Sequence, residues 1–154
     1  MRFDYMIHAA CGYKAMLALE TFLHASGLEP GLVDLVKLRV SQINGCAYCI
    51  DVHSKDLRAR GDTEQRLYAL DAWQECPYYS TRERAALGWA EAVTNLHDGH
   101  VSDEVYEEVK RSFDDSELSA LTFVVAAINA WNRLAIPARQ TPGTYRSKAA
   151  VISQ

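Results

Sequence analysis

Hydrophobic positions recur at helical spacing along most of the chain. Ala15, Met16, Leu19, Phe22 and Leu23 share a stripe within Tyr13 to Ala25, which Gly27 ends. Pro30 suits a first helical turn, and Leu32, Leu35, Val36, Val40 and Ile43 predict a second helix stopped by Asn44-Gly45. A third is predicted from about Cys46 to Arg60, before Gly61. Asp62, with Gln65 three residues on, predicts a capped fourth helix through about Trp73. Glu75-Cys76-Pro77 breaks the chain. Ser80 with Glu83 then predicts a capping box before Ala86, Leu87, Trp89, Ala90 and Val93. Ser102 caps a helix with Val105, Tyr106 and Val109, and Asp114 with Glu117 caps a long apolar one. The pattern predicts one all-α domain of six or seven helices over residues 1-136. A polar, loosely held C-terminal arm is expected over 137-154.

Composition narrows the class. The 154 residues are 49% hydrophobic and 23% charged, a folded rather than disordered profile. Eight Gly and four Pro are few for a sandwich or barrel of this length. The net charge of -4 argues against a phosphate-backbone binder. Leu118 to Ile136 is long enough to span a bilayer but holds Ser119, Thr122, Asn129, Asn132 and Arg133. An Arg in a membrane helix costs about 2.5–3.5 kcal/mol, so this segment reads as a buried core helix. Met1 to Ala10 lacks the apolar stretch of a signal peptide. The expectation is a cytoplasmic protein with no membrane or nucleic-acid partner, whose four Cys are not a disulfide framework. The long helix is apolar on nearly every side, which predicts surplus apolar surface buried in a homo-oligomer.

The strongest chemical signal is Cys46-Ala47-Tyr48-Cys49. Following Asn44-Gly45, the pair falls at a helix N-terminus, where unpaired N–H groups and the helix dipole favour a thiolate. Thiols three residues apart on a helix can close a disulfide with little backbone movement. His53 continues the stripe of Cys46, Cys49 and Leu57, one turn beyond Cys49. An imidazole there can take the thiol proton and return it to a leaving group. Two blander readings stand beside this one. Cys46, Cys49 and His53 supply three zinc ligands, but a closed site needs a fourth, and Cys11 and Cys76 stand alone. Alternatively, all three are buried packing residues. Asp34, one helix upstream, reads either as an acid that orients His53 or as a surface ion-pair partner of Lys37.

The run from Lys37 through Asn44-Gly45-Cys46-Ala47-Tyr48-Cys49 to His53 resembles the core of alkylhydroperoxidase D-like (AhpD-like) proteins. These belong to the carboxymuconolactone decarboxylase superfamily. Thr81 to Leu87 and Ile128 to Leu134 support the resemblance, which covers roughly Ala15 to Ile136. It implies an all-α fold and symmetric oligomers, commonly trimers or hexamers. It also implies thiol-dependent, peroxiredoxin-type peroxidase activity, with Cys46 and Cys49 as the redox pair and Cys49 attacking the peroxide. His53 and Asp34 would be the proton relay, without metal or other cofactor. The implied partners are a hydroperoxide and a dithiol reductant, dihydrolipoyl or thioredoxin-like. Two departures stand out: the family acid is usually Glu where this chain has Asp34, and the characterised peroxidase has His where this chain has Tyr48. The alternatives are a non-enzymatic, redox-responsive helical oligomer, or another small-molecule reaction in the same pocket.

Overall fold

A computed structural model describes residues 1–147. As the periodicity predicts, the fold is all-α, with no strand among the described residues. The helices are α1 (Tyr5–His8), α2 (Ala10–His24), α3 (Pro30–Asn44), α4 (Ala47–Ala59), α5 (Glu64–Ala69), α6 (Thr81–Thr94), α7 (Asp103–Lys110) and α8 (Asp115–Ala138). A tighter 3₁₀ segment, Leu70–Glu75, follows α5 directly and is itself kinked at Ala72. The short α1 is the helix that the pattern does not predict. Four residues carry too little periodicity to read, but Asp4 caps it by accepting from the N–H groups of Met6 and Ile7.

Helix starts follow the predicted caps at α6 and α8, where Ser80 with Glu83 and Asp114 with Glu117 form complete capping boxes. The start of α5 differs. Thr63, not Asp62, is the cap, accepting from Arg66 N, while the Asp62 carboxylate takes the Arg66 guanidinium at 2.7 Å. The same Asp62 oxygen also accepts from the Thr63 N–H at 2.8 Å, so Asp62 stays on the local backbone while Arg66, four residues on, pairs with it.

α3 and α8 are the central helices, with α4 and α6 packed against them. Val36, Val40, Ala86, Ala90, Leu121, Val124 and Val125 fill this core with no exposed surface. α8 is apolar and long enough to cross a membrane, yet here it is the buried core helix that the sequence implies. A second, smaller core joins Leu35, Leu38, Leu57, Leu70 and Leu87. α8 runs past Ile136 through Pro137 to Ala138 and ends at Arg139 in the left-handed conformation. Of the expected arm, residues 148–154 lie outside the described residues. Up to Tyr145, the segment after α8 is hydrogen-bonded onto α4.

Candidate active site

The α3–α4 junction builds the site. Gly45 ends α3 at φ 69°, a left-handed conformation that glycine adopts without a Cβ penalty. The sharp turn makes Cys46 the N-cap of α4, and its sulfur accepts from Cys49 N at 3.4 Å. The two sulfurs are 2.7 Å apart, closer than ordinary contact and longer than the roughly 2.05 Å of a disulfide. Cys46 is 1% exposed and Cys49 5%. Cys11 and Cys76 are free thiols outside this cluster.

One negative charge on the pair settles on Cys46. The Cys49 thiol donates to it, and against the cost of burial the Cys49 backbone N–H and the Asn132 side chain add support, bringing Cys46 down to about 7. Cys49 is pushed far above the ordinary thiol range, first because Cys46 holds its proton and then by burial. The adjacent Tyr48 phenol is raised by burial and by Cys49, so near neutral pH it is a proton donor rather than a base.

Asn132 is the site residue that sequence reasoning missed. It was visible only as a polar position in an apolar helix, and α8 brings it to the thiols. Its side chain is fully buried and its polarity is fixed: Oδ1 accepts from Asn44 Nδ2 at 2.8 Å, and Nδ2 donates to Ser41 Oγ at 3.2 Å. The Ser41 hydroxyl in turn donates a hydrogen bond to Lys37 O at 2.7 Å. With these contacts made, the remaining N–H of Asn132 serves the sulfurs, where its hydrogen bond lowers both thiols.

Asp34 and His53 also come together. Nδ1 of His53 is 3.4 Å from Asp34 Oδ1, too poorly aligned for a hydrogen bond, and it is a buried polar atom without a hydrogen-bond partner. Arg60 Nε donates to the other Asp34 oxygen at 2.8 Å. Burial works to raise the Asp34 carboxyl, but His53 and Arg60 outweigh it and hold it below the usual carboxylate value. The ion pair of Asp34 with Lys37 is not made. Lys37 instead pairs with Glu20 of α2 at 2.6 Å. Among the described residues, the close group of possible metal ligands is Asp34, His53 and Asp56, not the thiols. Arg60 and Tyr145 already occupy its two carboxylates.

Residues 12–92 match the sequence profile of the carboxymuconolactone decarboxylase family. YdfG of Bacillus subtilis is 42% identical over 88% of this chain and 92% of its own length. The chain belongs to the carboxymuconolactone decarboxylase family. A crystal structure from Agrobacterium tumefaciens, ATU0492, matches with a TM-score of 0.90 and 39% identity over 94% of this chain and 99% of its own. That protein is of unknown function, and its name suggests the antioxidant defence protein AhpD, which places this family member among AhpD-like proteins. The debrominase Bmp8 shares the fold alone, with a TM-score of 0.70 and 21% identity over 90% of this chain and 72% of its own.

The thiol pair also ties stability to pH. Cys46 ionises near 7 in the folded protein and near 9.0 without its partners. Its stabilising contribution is therefore lost as pH falls through 7 and grows as pH rises toward 9. Cys49 has the opposite sign: above pH 9 the unfolded chain ionises it and the folded protein does not. The pair should add on the order of 2 kcal/mol between pH 7 and 9 and then give it back. Urea unfolding of reduced and oxidised protein across pH 6 to 10 checks this. Only the reduced form should show the maximum.

Proposed function

We propose that the protein is a thiol-dependent peroxidase in which Cys46 and Cys49 cycle between dithiol and disulfide. The observation that carries this reading is the buried sulfur pair at 2.7 Å, with one thiol brought down to about 7. The Cys46 thiolate attacks one peroxide oxygen, the O–O bond breaks, and the sulfur becomes a sulfenic acid while an alkoxide leaves. His53, oriented by Asp34, protonates the alkoxide through Nε2, the nitrogen on the ring edge away from Asp34. Cys49 gives its proton to the departing hydroxide and displaces it as water, closing the disulfide. A dithiol, dihydrolipoyl or thioredoxin-like, restores the pair by exchange and takes up the oxidation. Such a cycle belongs in the reducing cytoplasm.

The family resemblance gives the attack to Cys49, whereas the charge distribution favours Cys46. Peroxide consumption with a dithiol reductant should be lost in both Cys46→Ser and Cys49→Ser. A sulfenic acid should be trapped on Cys46 in Cys49→Ser, because serine keeps a donor to the thiolate. Wild-type protein that consumes no peroxide would refute the reading and favour a non-enzymatic role. A second reaction class fits one further observation: Tyr13 stacks edge-on with Trp131 at 5.9 Å and lies 6.3 Å from Tyr5, whose phenol, like that of Tyr48, is near enough to the thiol pair to be raised by it. Aromatic surface beside a dithiol suits reduction of a halogenated ring, and bromide release from a bromopyrrole tests it.

We also propose a homo-oligomer. α8 keeps Phe123 and Ile136 exposed, and α2 adds further apolar surface beside it. Leu17 and Phe22 are exposed there, and Phe22 meets the exposed Phe123 of α8 edge-on at 5.6 Å. Light scattering should give a multiple of 17.2 kDa, a trimer or hexamer by family resemblance.

A further inference from the structure

The chain after α8 is a short polar run with no periodicity, so nothing in the sequence attaches it to the site. Its backbone does. Gly143, at φ 104°, turns the segment along α4 and donates its N–H to Asp51 Oδ2 at 3.0 Å. Lys55 Nζ donates to Gly143 O at 3.4 Å and to Tyr145 O at 3.3 Å. The Tyr145 hydroxyl, so placed, donates to the Asp56 carboxylate, 2.9 and 3.1 Å from its two oxygens. Burial and this carboxylate both push the Tyr145 phenol up, so it stays a donor.

Asp56 is three residues beyond His53 on α4. Ligand atoms of Asp56, Asp34 and His53 all lie within 4.8 Å of one another. The imidazole therefore faces two carboxylates, each held by a group from elsewhere: Asp34 by Arg60, and Asp56 by Tyr145. Asp34, one methylene shorter than the Glu that the family resemblance implies, leaves Nδ1 at 3.4 Å and unbonded. Asp56 brings a second carboxylate within 4.8 Å of the imidazole.

We propose that Asp56 is a second carboxylate partner of His53, and that Tyr145 is a positioning residue that sets how much of the Asp56 charge the imidazole feels. The inference rests on the relay described under the proposed function for its catalytic meaning, but not for its physics. The charged and titratable groups around His53 are Asp34 from α3, Asp56, Arg60 and Cys49 from α4 and its ends, and Tyr145 from the C-terminal segment. Removing the Asp56 charge makes an imidazolium less favourable. Removing the Tyr145 hydroxyl releases that charge toward the ring and makes an imidazolium more favourable. Two variants that break one hydrogen bond thus act on His53 with opposite signs, which loss of a structural contact would not do.

The test is an NMR titration of the His53 ring resonances in reduced wild type, Asp56→Asn and Tyr145→Phe. The midpoint is expected to fall by roughly half a pH unit in Asp56→Asn and to rise by a few tenths in Tyr145→Phe, from charges about 5 Å apart in partly hydrated surroundings. Asp56→Glu, which keeps the charge, should restore most of the shift. Midpoints that move in the same direction, or do not move, overturn the proposal. Peroxide consumption by the same variants reads the peroxidase proposal separately. Opposite shifts without peroxide turnover uphold this inference and remove that function, and turnover without opposite shifts does the reverse.

Discussion

Glu20→Gln is expected to destabilise the protein by about 3–5 kcal/mol, the largest effect of a single isosteric change on the fold. Lys37 is charged, its side chain is 6% exposed, and Glu20, at 19%, faces it at 2.6 Å. The other Glu20 oxygen accepts from Trp131 Nε1 at 2.8 Å. A glutamine can serve Trp131, but it then turns its own amide donor toward the Lys37 ammonium and leaves that charge buried and unpaired. The double variant Glu20→Gln with Lys37→Met removes the stranded charge and should recover most of the loss, because replacing both partners of a buried pair is far less costly than breaking it. Urea unfolding of the four proteins measures the coupling. A Glu20→Gln loss under 1 kcal/mol would show that water reaches Lys37.

Asn132→Leu is expected to act on stability and on chemistry together. Leucine fills the same volume but leaves Asn44 with one donor unused and withdraws the donor to Ser41 Oγ. Buried polar groups left without partners cost about 1–3 kcal/mol each, so a loss of about 2–4 kcal/mol is expected. The same change takes a hydrogen bond from the Cys46 thiolate. A hydrogen bond to a charged group is worth about 1.5–3 kcal/mol, roughly one pKa unit or more. Cys46 is about half ionised at neutral pH with its ionisation near 7, and the thiolate share should drop to about a tenth. Iodoacetamide alkylation at pH 7 should slow about fivefold, while Ser41→Ala, which keeps the Asn132 donor, should slow it less. Equal rates for wild type and Asn132→Leu would leave Cys49 and the helix N-terminus as the sources of thiolate stability.

Both experiments address contacts between helices, and the line between sequence and structure falls there. The helices themselves were legible because apolar spacing, Pro30, Gly45 and the boxes at Ser80 and Asp114 are local signals read within one or two turns. The thiol pair was legible for the same reason, since the spacing of Cys46 and Cys49 and their place after Gly45 are local facts. Asp62 shows that even a local signal can miss by one residue: its type suited a cap, but Thr63 takes the role while Asp62 accepts from Thr63 N and from Arg66 Nε one turn on.

What the chain order alone decided was therefore the all-α class, the helix ends and the position of the dithiol at the start of α4. Tertiary structure decided which polar groups serve it. Asp34 and Lys37 share α3 and by spacing could pair, but α2 brings Glu20 to Lys37, and α4 brings His53 and Arg60 to Asp34. Asn132 from α8 and Tyr145 from the last described segment reach the site across 86 and 92 positions of sequence from Cys46 and His53. The physical reason is that an apolar stripe specifies which face is buried but not what it meets. A buried polar side chain has its partner set by how the helices pack, and that packing is a property of the whole core.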